Sequence, residues 1–463
     1  MDPASSTLGK MLLDEITPVV MVLRTPLVEE SSQKNQLSFI QLLSPFCNFN
    51  NIDVPVRTAS DQPYRLKKFK LRLFYASDIR QPNIEVAKER LNQVITDAGE
   101  KDLSKLCSEP FQIETVLNSS QNEFLPLWFQ YFNKELVRTV SFSEHEAFDH
   151  PVTCLLAVSS RDEDPINKFV DLFNTNQLPS LLNDCAMDPK ILKHFVLVHD
   201  DEEIPLERAT KTLAEMRSTF GANCCHLLCI NSSKDGSEEH ENLWAAYKTD
   251  ISDGQPLRSF LSSDDVDELK KFIQDLSSKH IIPHMEQKIR LLNQQVSATR
   301  KGFRNQIKNL WWRKGKDDAP ENPAGPMYTF SSIESQIRVL GDYAFMLHDY
   351  ELALSNYRLL STDYKLDKAW KHYAGVQEMM GLTYFMLDQS RKDGEYCMEN
   401  AFTTYLKIGL SGQRNATRCG LWWVEMLKAR DQYKEAASVY FRISGEVMPN
   451  FDVLVDDNPY FLF

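Results

Sequence analysis

The chain has 463 residues, 42% hydrophobic and 25% charged, a globular composition with room for about two to four domains. Its formal net charge of −13 argues against a nucleic-acid-binding surface, and it has no run of about 18 apolar residues that could span a membrane. Nine cysteines, odd in number and scattered, fit a reducing cytosol, where the Asn-x-Ser/Thr matches at Asn118, Asn231 and Asn415 are chance hits.

The opening M-D-P-A-S-S-T-L-G-K-M-L-L-D-E lacks the cationic start and apolar block of a cleaved leader, and no glycine follows the initiator Met for myristoylation. From there strand and helix patterns alternate. Pro18 to Leu23 is a short β-branched run, and Phe69 to Tyr75 alternates apolar with basic residues like a strand with one exposed face. Ile84 to Ala98 has helical spacing. Val152–Val158, His194–His199 and Cys225–Ile230 predict buried strands, separated by helices at Asp164–Phe173, with a proline in its first turn, and Leu206–Phe220. That rhythm predicts a parallel sheet with crossover helices, an α/β domain over residues 1–260. Glu100–Asn122 and Ser232–Glu241 read as loops or insertions.

An α/β domain invites a search for phosphate chemistry. A P-loop needs G-x-x-x-x-G-K-[ST], whose amides wrap the phosphates. The nearest stretch, Gly9-Lys10-Met11, lacks the first glycine and the Ser/Thr, no G-x-G-x-x-G occurs, and Asn167-Lys168-Phe169-Val170-Asp171 is one residue too long for a guanine-reading motif. Asp200 to Glu203 follows a strand and reads as helix capping and loop solvation. Cys224, Cys225, His226 and Cys229 lie in a strand pattern that sends them to both faces, so the cysteines read as small core residues rather than zinc ligands. His145 and His150 flank a loop without a cysteine partner. No nucleophile elbow and no H-E-x-x-H is present. No enzyme, cofactor or metal site is expected.

Ser262-Ser263-Asp264-Asp265 is an N-cap cluster for a helix to about His280, and Pro283 starts another through Ile289, Leu292 and Val296. These connecting helices, 261–299, lead into R-K-G-F-R-N-Q-I-K-N-L-W-W-R-K-G-K at residues 300–316. The stretch holds seven cations and no acid; with those seven set aside from the −13, the rest of the chain carries −20. Such an island invites a partner of negative charge. At about 100° per residue, Phe303, Ile307, Leu310 and Trp311 share one face, bordered by Lys301, Arg304 and Lys308, with Asn305 and Asn309 opposite. Trp312 falls on the polar side, followed by Arg313 and Lys314, so the helix is expected to end near there. Apolar rings beside a cationic border suit a helix lying in a bilayer interface. Burial contributes about 1.5–3 kcal/mol per apolar side chain, and each cation about 1 kcal/mol near an anionic leaflet. Ordering offsets about 1–2 kcal/mol per residue, so the contact is weak and reversible. The membrane-binding set is Phe303, Arg304, Ile307, Lys308, Leu310, Trp311, Trp312, Arg313 and Lys314. A helix packed on its own domain and a solvated basic linker are the other readings of the same residues.

A Pro/Gly-rich linker, 317–330, follows. Residues 331–445 read as all helix. Tyr350, Ala353 and Tyr357 recur in spacing as Tyr433, Ala436 and Tyr440, each set early in the second helix of a presumed hairpin. This predicts tetratricopeptide-style packing in an α-solenoid, with two ordinary amphipathic helices as the plainer reading. Helical scaffolds of this kind bind protein.

Three stretches carry a family resemblance. They are Asn35 with Leu37-Ser38-Phe39-Ile40-Gln41-Leu42-Leu43-Ser44-Pro45-Phe46, then I-I-P-H-M-E-Q-K-I-R-L-L-N from Ile281 with Arg300-Lys301-Gly302, and the two tyrosine–alanine repeats. Together they resemble the eighth-subunit family of the transport protein particle (TRAPP) complex, in the style of its plant members, from near the N-terminus to about Gly445. The resemblance implies an accessory, non-catalytic subunit of TRAPP III, a tethering complex and guanine-nucleotide exchange factor for a Rab-family GTPase in ER-to-Golgi transport and autophagy. It implies exchange residues on other, small subunits, and a GTPase-like N-terminal fold without a nucleotide site. An α-solenoid and later β-sandwich domains would follow, with an amphipathic membrane helix where Phe303, Arg304, Ile307, Lys308, Leu310 and Trp311 stand. Partners would be other TRAPP subunits, the Rab-family GTPase indirectly and an anionic membrane surface, with no nucleic acid. The protein would be cytoplasmic and peripheral on Golgi, early secretory and autophagosomal membranes. Residues 446–463 depart from the family, so a C-terminally truncated form with a divergent tail is expected. The alternative is a solenoid adaptor whose basic helix binds an acidic protein surface.

Overall fold

The computed structural model describes residues 3–81, 83–106, 135–174, 178–183, 185–203, 205–233, 243–244, 260–304 and 328–447. In chain order the main elements begin with α1 (Thr7–Glu15), β1 (Val19–Arg24), α2 (Pro26–Gln33), α3 (Phe39–Leu43), β2 (Asn48–Phe49), β3 (Val54–Arg57), β4 (Pro63–Leu66), β5 (Phe69–Lys70) and β6 (Arg72–Tyr75). Then come α4 (Ile84–Leu106), β7 (Pro151–Ser159), α5 (Pro165–Phe173), β8 (Leu192–Asp200), α6 (Leu206–Phe220), β9 (Cys225–Ile230), α7 (Ser263–Asp275), a π-helical turn (Leu276–Ile281) and α8 (Ile282–Arg304). The C-terminal helices are α9 (Ile333–Met346), α10 (Tyr350–Leu366), α11 (Trp370–Met386), α12 (Arg391–Lys407), α13 (Leu410–Lys428) and α14 (Tyr433–Arg442). An α/β region with a parallel sheet is thus followed by a helical region. The described residues fall into two compact units: one is Met11–Ile79 with Glu146–Leu360, the other draws on Met1–Lys10, Arg80–His145 and Ser361–Phe463.

The first unit is built on a five-stranded parallel sheet of order β6-β1-β7-β8-β9. Val19–Leu23 and every residue of β7 are buried, as strands covered on both faces must be. Strand alternation assigns the covers. Phe195 stacks on Phe220 of α6 at 4.1 Å between centroids and meets Phe169 of α5 at 5.5 Å. His194 and Val196 point the other way, and His226, level with Val196, meets Phe272 of α7 at 5.3 Å.

Three expectations need correction. Phe69–Tyr75 is not one strand: Phe69 and Lys70 pair antiparallel with β2, while Arg72–Tyr75 pairs parallel with β1. The break is Leu71, whose side chain is buried and whose amide donates to the Cys47 carbonyl at 2.9 Å. Nor does a helix end at His280. Its start holds, since Ser262 and Asp265 form a reciprocal capping box. But the helix passes through the π turn, in which the Ile282 amide donates to the Ser277 carbonyl, straight into α8. Pro283 lacks an N–H and would crowd a carbonyl inside a regular α-helix; the wider turn just ahead of it accommodates the ring. Likewise α4 runs on from Ala98 to Leu106.

Within the first unit α9 packs on α8, and Tyr357 of α10 donates to the buried Asp342 at 2.7 Å, itself paired with Arg338 at 2.9 Å. In the second unit α11 to α14 pack each on the next, around Met379, Met398, Phe402, Tyr405 and Trp422. A Cβ on Gly381 would meet the Met398 Sδ at 2.6 Å and the Gly394 carbonyl oxygen at 3.1 Å, so α11 and α12 approach closely there and a larger residue would displace Met398. A buried ion pair, Arg418 to Glu378 at 2.6 Å, crosses this core. The tyrosine–alanine repeat is equal in spacing but not in burial: Ala353, Tyr357 and Ala436 are buried, whereas Tyr433 is exposed. Among the described residues no helix is long and apolar enough to cross a membrane.

Candidate functional site

The sheet order places β6 and β7 on opposite sides of β1, so the chain goes from β1 out to β6 and then crosses back over β1 to β7, reversing the direction of strand addition there. In open α/β sheets ligands bind in the crevice at the carboxyl ends of the strands at such a point. Here that rim is occupied by the chain's own polar groups. Thr25 ends β1 and donates its hydroxyl to Asp162 Oδ2 at 2.8 Å, and the same oxygen accepts the Ser159 amide at 3.0 Å. Pro26 then opens α2. A helix start holds phosphate through free N–H groups and positive dipole, but proline supplies no N–H, and Glu29 brings a negative charge into the same turn.

The Glu29 carboxylate is tied in turn. Arg24 pairs with it and lies 3.6 Å from the centre of the Tyr75 ring, whose hydroxyl donates to Glu29 at 2.9 Å. Burial pushes the Tyr75 phenol up to about 12, so it remains a donor. Beside it, Lys34 contacts Asp200 at 2.9 Å, Glu203 at 2.6 Å and Glu202 at 3.3 Å. Burial works against the Lys34 charge, yet hydrogen bonds to Glu203 and Asp200 outweigh it and hold the ammonium well above its ordinary value. Arg161 bridges Glu203 at 2.6 Å and Glu30 at 3.3 Å. Asn231 donates to Asp200 at 3.0 Å and accepts from Asn35 at 2.7 Å. The expectation of loop solvation fails for Asp200, which is buried because Lys34 and Asn231 replace its water. Chemically this rim is a set of closed ion pairs that locks α2 and the strand ends together. An incoming phosphate would meet carboxylates.

The predicted membrane-binding residues lie elsewhere. The preceding helix buries Ile282, Met285, Ile289, Leu292 and Val296 along one stripe. Phe303 and Arg304 form the end of α8, with their side chains outside the described residues; Ile307, Lys308, Leu310, Trp311, Trp312, Arg313 and Lys314 lie wholly outside them. The cysteines near His226 separate: Cys225 is buried, Cys224 and Cys229 half-buried. Sequence reasoning missed instead a trio, His194, His226 and His280, on β8, β9 and the π turn. The available signal was the alternation that puts His194 and His226 on one sheet face, but only the register of β8 against β9 brings them together.

A family model described as the ER-Golgi trafficking TRAPP I complex 85 kDa subunit matches residues 12–431. Human trafficking protein particle complex subunit 8 is 24% identical, over 94% of this chain and 36% of its own length. Transport protein particle subunit trs85-2 of Schizosaccharomyces pombe is 25% identical, over 62% of this chain and 50% of its own length. The chain therefore spans about a third to a half of the length of these relatives.

Proposed function

This chain belongs to the family of the 85 kDa TRAPP subunit, and from that premise we propose that it is a non-catalytic, membrane-targeting subunit of the TRAPP III form of the complex. In this reading it holds other TRAPP subunits through its α/β region and its helices, the latter acting as an α-solenoid. It brings a Rab exchange activity, carried elsewhere in the complex, to early secretory and autophagosomal membranes. The closed rim at β1 supports a GTPase-like sheet that serves as scaffold rather than as hydrolase. The observation that carries the proposal is the 300–316 stretch, seven cations without an acid, which begins in the last turns of a helix whose apolar stripe is already buried through Val296.

Flotation of the purified chain with anionic liposomes tests it. Ile307→Asp with Trp311→Asp is expected to abolish flotation while the circular-dichroism melt stays unchanged. Capture of small TRAPP subunits by tagged wild-type chain is the second readout. Unchanged flotation of the double variant removes the membrane role. If that variant instead loses its captured subunits, the stretch binds an acidic protein face.

A further inference from the structure

The histidine trio stands apart from the trafficking reading, and none of its members belongs to the rim at β1. We propose that His194, His226 and His280 form a Zn²⁺ site that clamps the π turn to the parallel sheet. One nitrogen from each ring lies within 4.8 Å of the others, and ring centroids are 4.6 Å (His194–His280), 5.7 Å (His226–His280) and 5.8 Å (His194–His226) apart. His194 is 1% exposed, and both its ring nitrogens are buried without a hydrogen-bond partner, as is His226 Nε2. A neutral imidazole carries an N–H and a lone pair, and a folded protein seldom leaves both buried and unused. A metal ion takes up the lone pairs of all three rings at once.

The donor set selects the metal. Imidazole nitrogens suit a borderline ion such as Zn²⁺, and three of them with a water complete a tetrahedron. Zn–N bonds of about 2.05 Å put ligand nitrogens about 3.4 Å apart, so binding draws the rings together by side-chain rotation. Burial holds His194 down at about 3 and His226 at about 4, with His280 also lowered, which keeps all three in the neutral ligating form at neutral pH. Among charged neighbours, Arg217 disfavours a dication at His226 and Lys279 disfavours it at His226 and His280, while Asp275 favours it at both. His284, flanked by Lys288 and Asp188, is one helical turn beyond His280. The π turn is what sets His280 over the sheet, and single π turns of this kind recur at functional sites.

The test uses the full chain, stripped with chelator and titrated with Zn²⁺ by calorimetry and with Co²⁺ by visible absorption. Wild type is expected to bind one ion, to give the intense absorption of tetrahedral Co²⁺, and to melt higher with Zn²⁺ than without. His280→Gln and His226→Gln, on the two half-buried members, are each expected to weaken Zn²⁺ binding at least about 10- to 100-fold and to abolish the melting shift. Their metal-free melts should match the metal-free wild type, which separates lost ligation from lost folding. No binding by wild type at micromolar Zn²⁺ overturns the proposal. So does binding undiminished in His280→Gln, which would place the ion at the half-buried cysteines instead.

Discussion

At the scale of single residues, one buried histidine, His194, and two half-buried ones, His150 and His348, set how the fold responds to acid. Burial, reinforced by Arg338, lowers His150 to about 4; burial and Lys68 lower His348 to about 4; burial and neighbouring imidazoles lower His194 to about 3. In the unfolded chain each returns to about 6.5. Below that value the unfolded state takes up protons that the folded state refuses, so stability is complete above about pH 6.5 and falls as the pH drops toward 4. Each such histidine contributes about 1.4 kcal/mol per pH unit to the fall. The urea midpoint of the chelator-treated chain is expected to hold between pH 8 and 7 and to decline steadily below 6.5, less steeply in His150→Gln. A flat midpoint from pH 7 to 5 would contradict this account. None of it was legible in the sequence. The sequence puts His226 beside three cysteines, whereas in the fold its ring neighbours come from another strand and from a helix some fifty residues on.

At the scale of elements, what was readable was local. The Ser262 cap, the proline opening α5 and the alternation of strands with helices all depend on residues within a few positions of one another, and all stand as expected. The strand predicted over Phe69–Tyr75 failed because its two halves have different partners, which no local pattern reveals. The tyrosine–alanine repeat is intermediate: its spacing is local, but its packing is not. A Cβ at Gly341 of α9 would sit 2.7 Å from Tyr357 Cε1, on a ring that is fully buried and anchored through its hydroxyl to Asp342. Overpacking of that kind costs about 1–3 kcal/mol, against about 1 kcal/mol regained when alanine replaces a helical glycine. Gly341→Ala is therefore expected to lower the thermal midpoint, and adding Tyr357→Phe should recover little of the loss, since the ring stays in place. A midpoint raised by Gly341→Ala would show that the helices have room to separate.

At the scale of the whole molecule, charge is distributed so that seven cations lie in residues 300–316 and −20 lies in the rest. The sequence showed this asymmetry directly because counting charges needs no fold. The two-unit organisation was not visible, since it joins residues 80–145 to those after 360, and separations of that size leave no mark on periodicity. An anionic bilayer attracts the basic stretch and repels the remainder. The attraction is screened over about 10 Å at 0.1 M salt and about 3 Å at 1 M. Liposome flotation is accordingly expected to fall severalfold between 0.05 and 0.5 M salt and to vanish on neutral vesicles. Salt-indifferent flotation would mean that the apolar face alone carries the contact.

The turn at Leu276–Ile281 has one more consequence. Buried positions run Leu269, Phe272, Ile273, Leu276 and Ser277, and then resume at Ile281 and Ile282. The turn is closed by the Ile282 amide on the Ser277 carbonyl, a π-type bond that holds one residue more than an α-helical turn. Loss of a single residue from 277–280 would thus leave Met285, Ile289, Leu292 and Val296 facing inward. The same loss a few positions later would swing every following side chain by about 100°. On packing alone, natural length variation in relatives of this chain is accordingly expected at this turn rather than in the helix beyond it, and relatives that have lost a residue here are expected to lack the Zn²⁺ site as well.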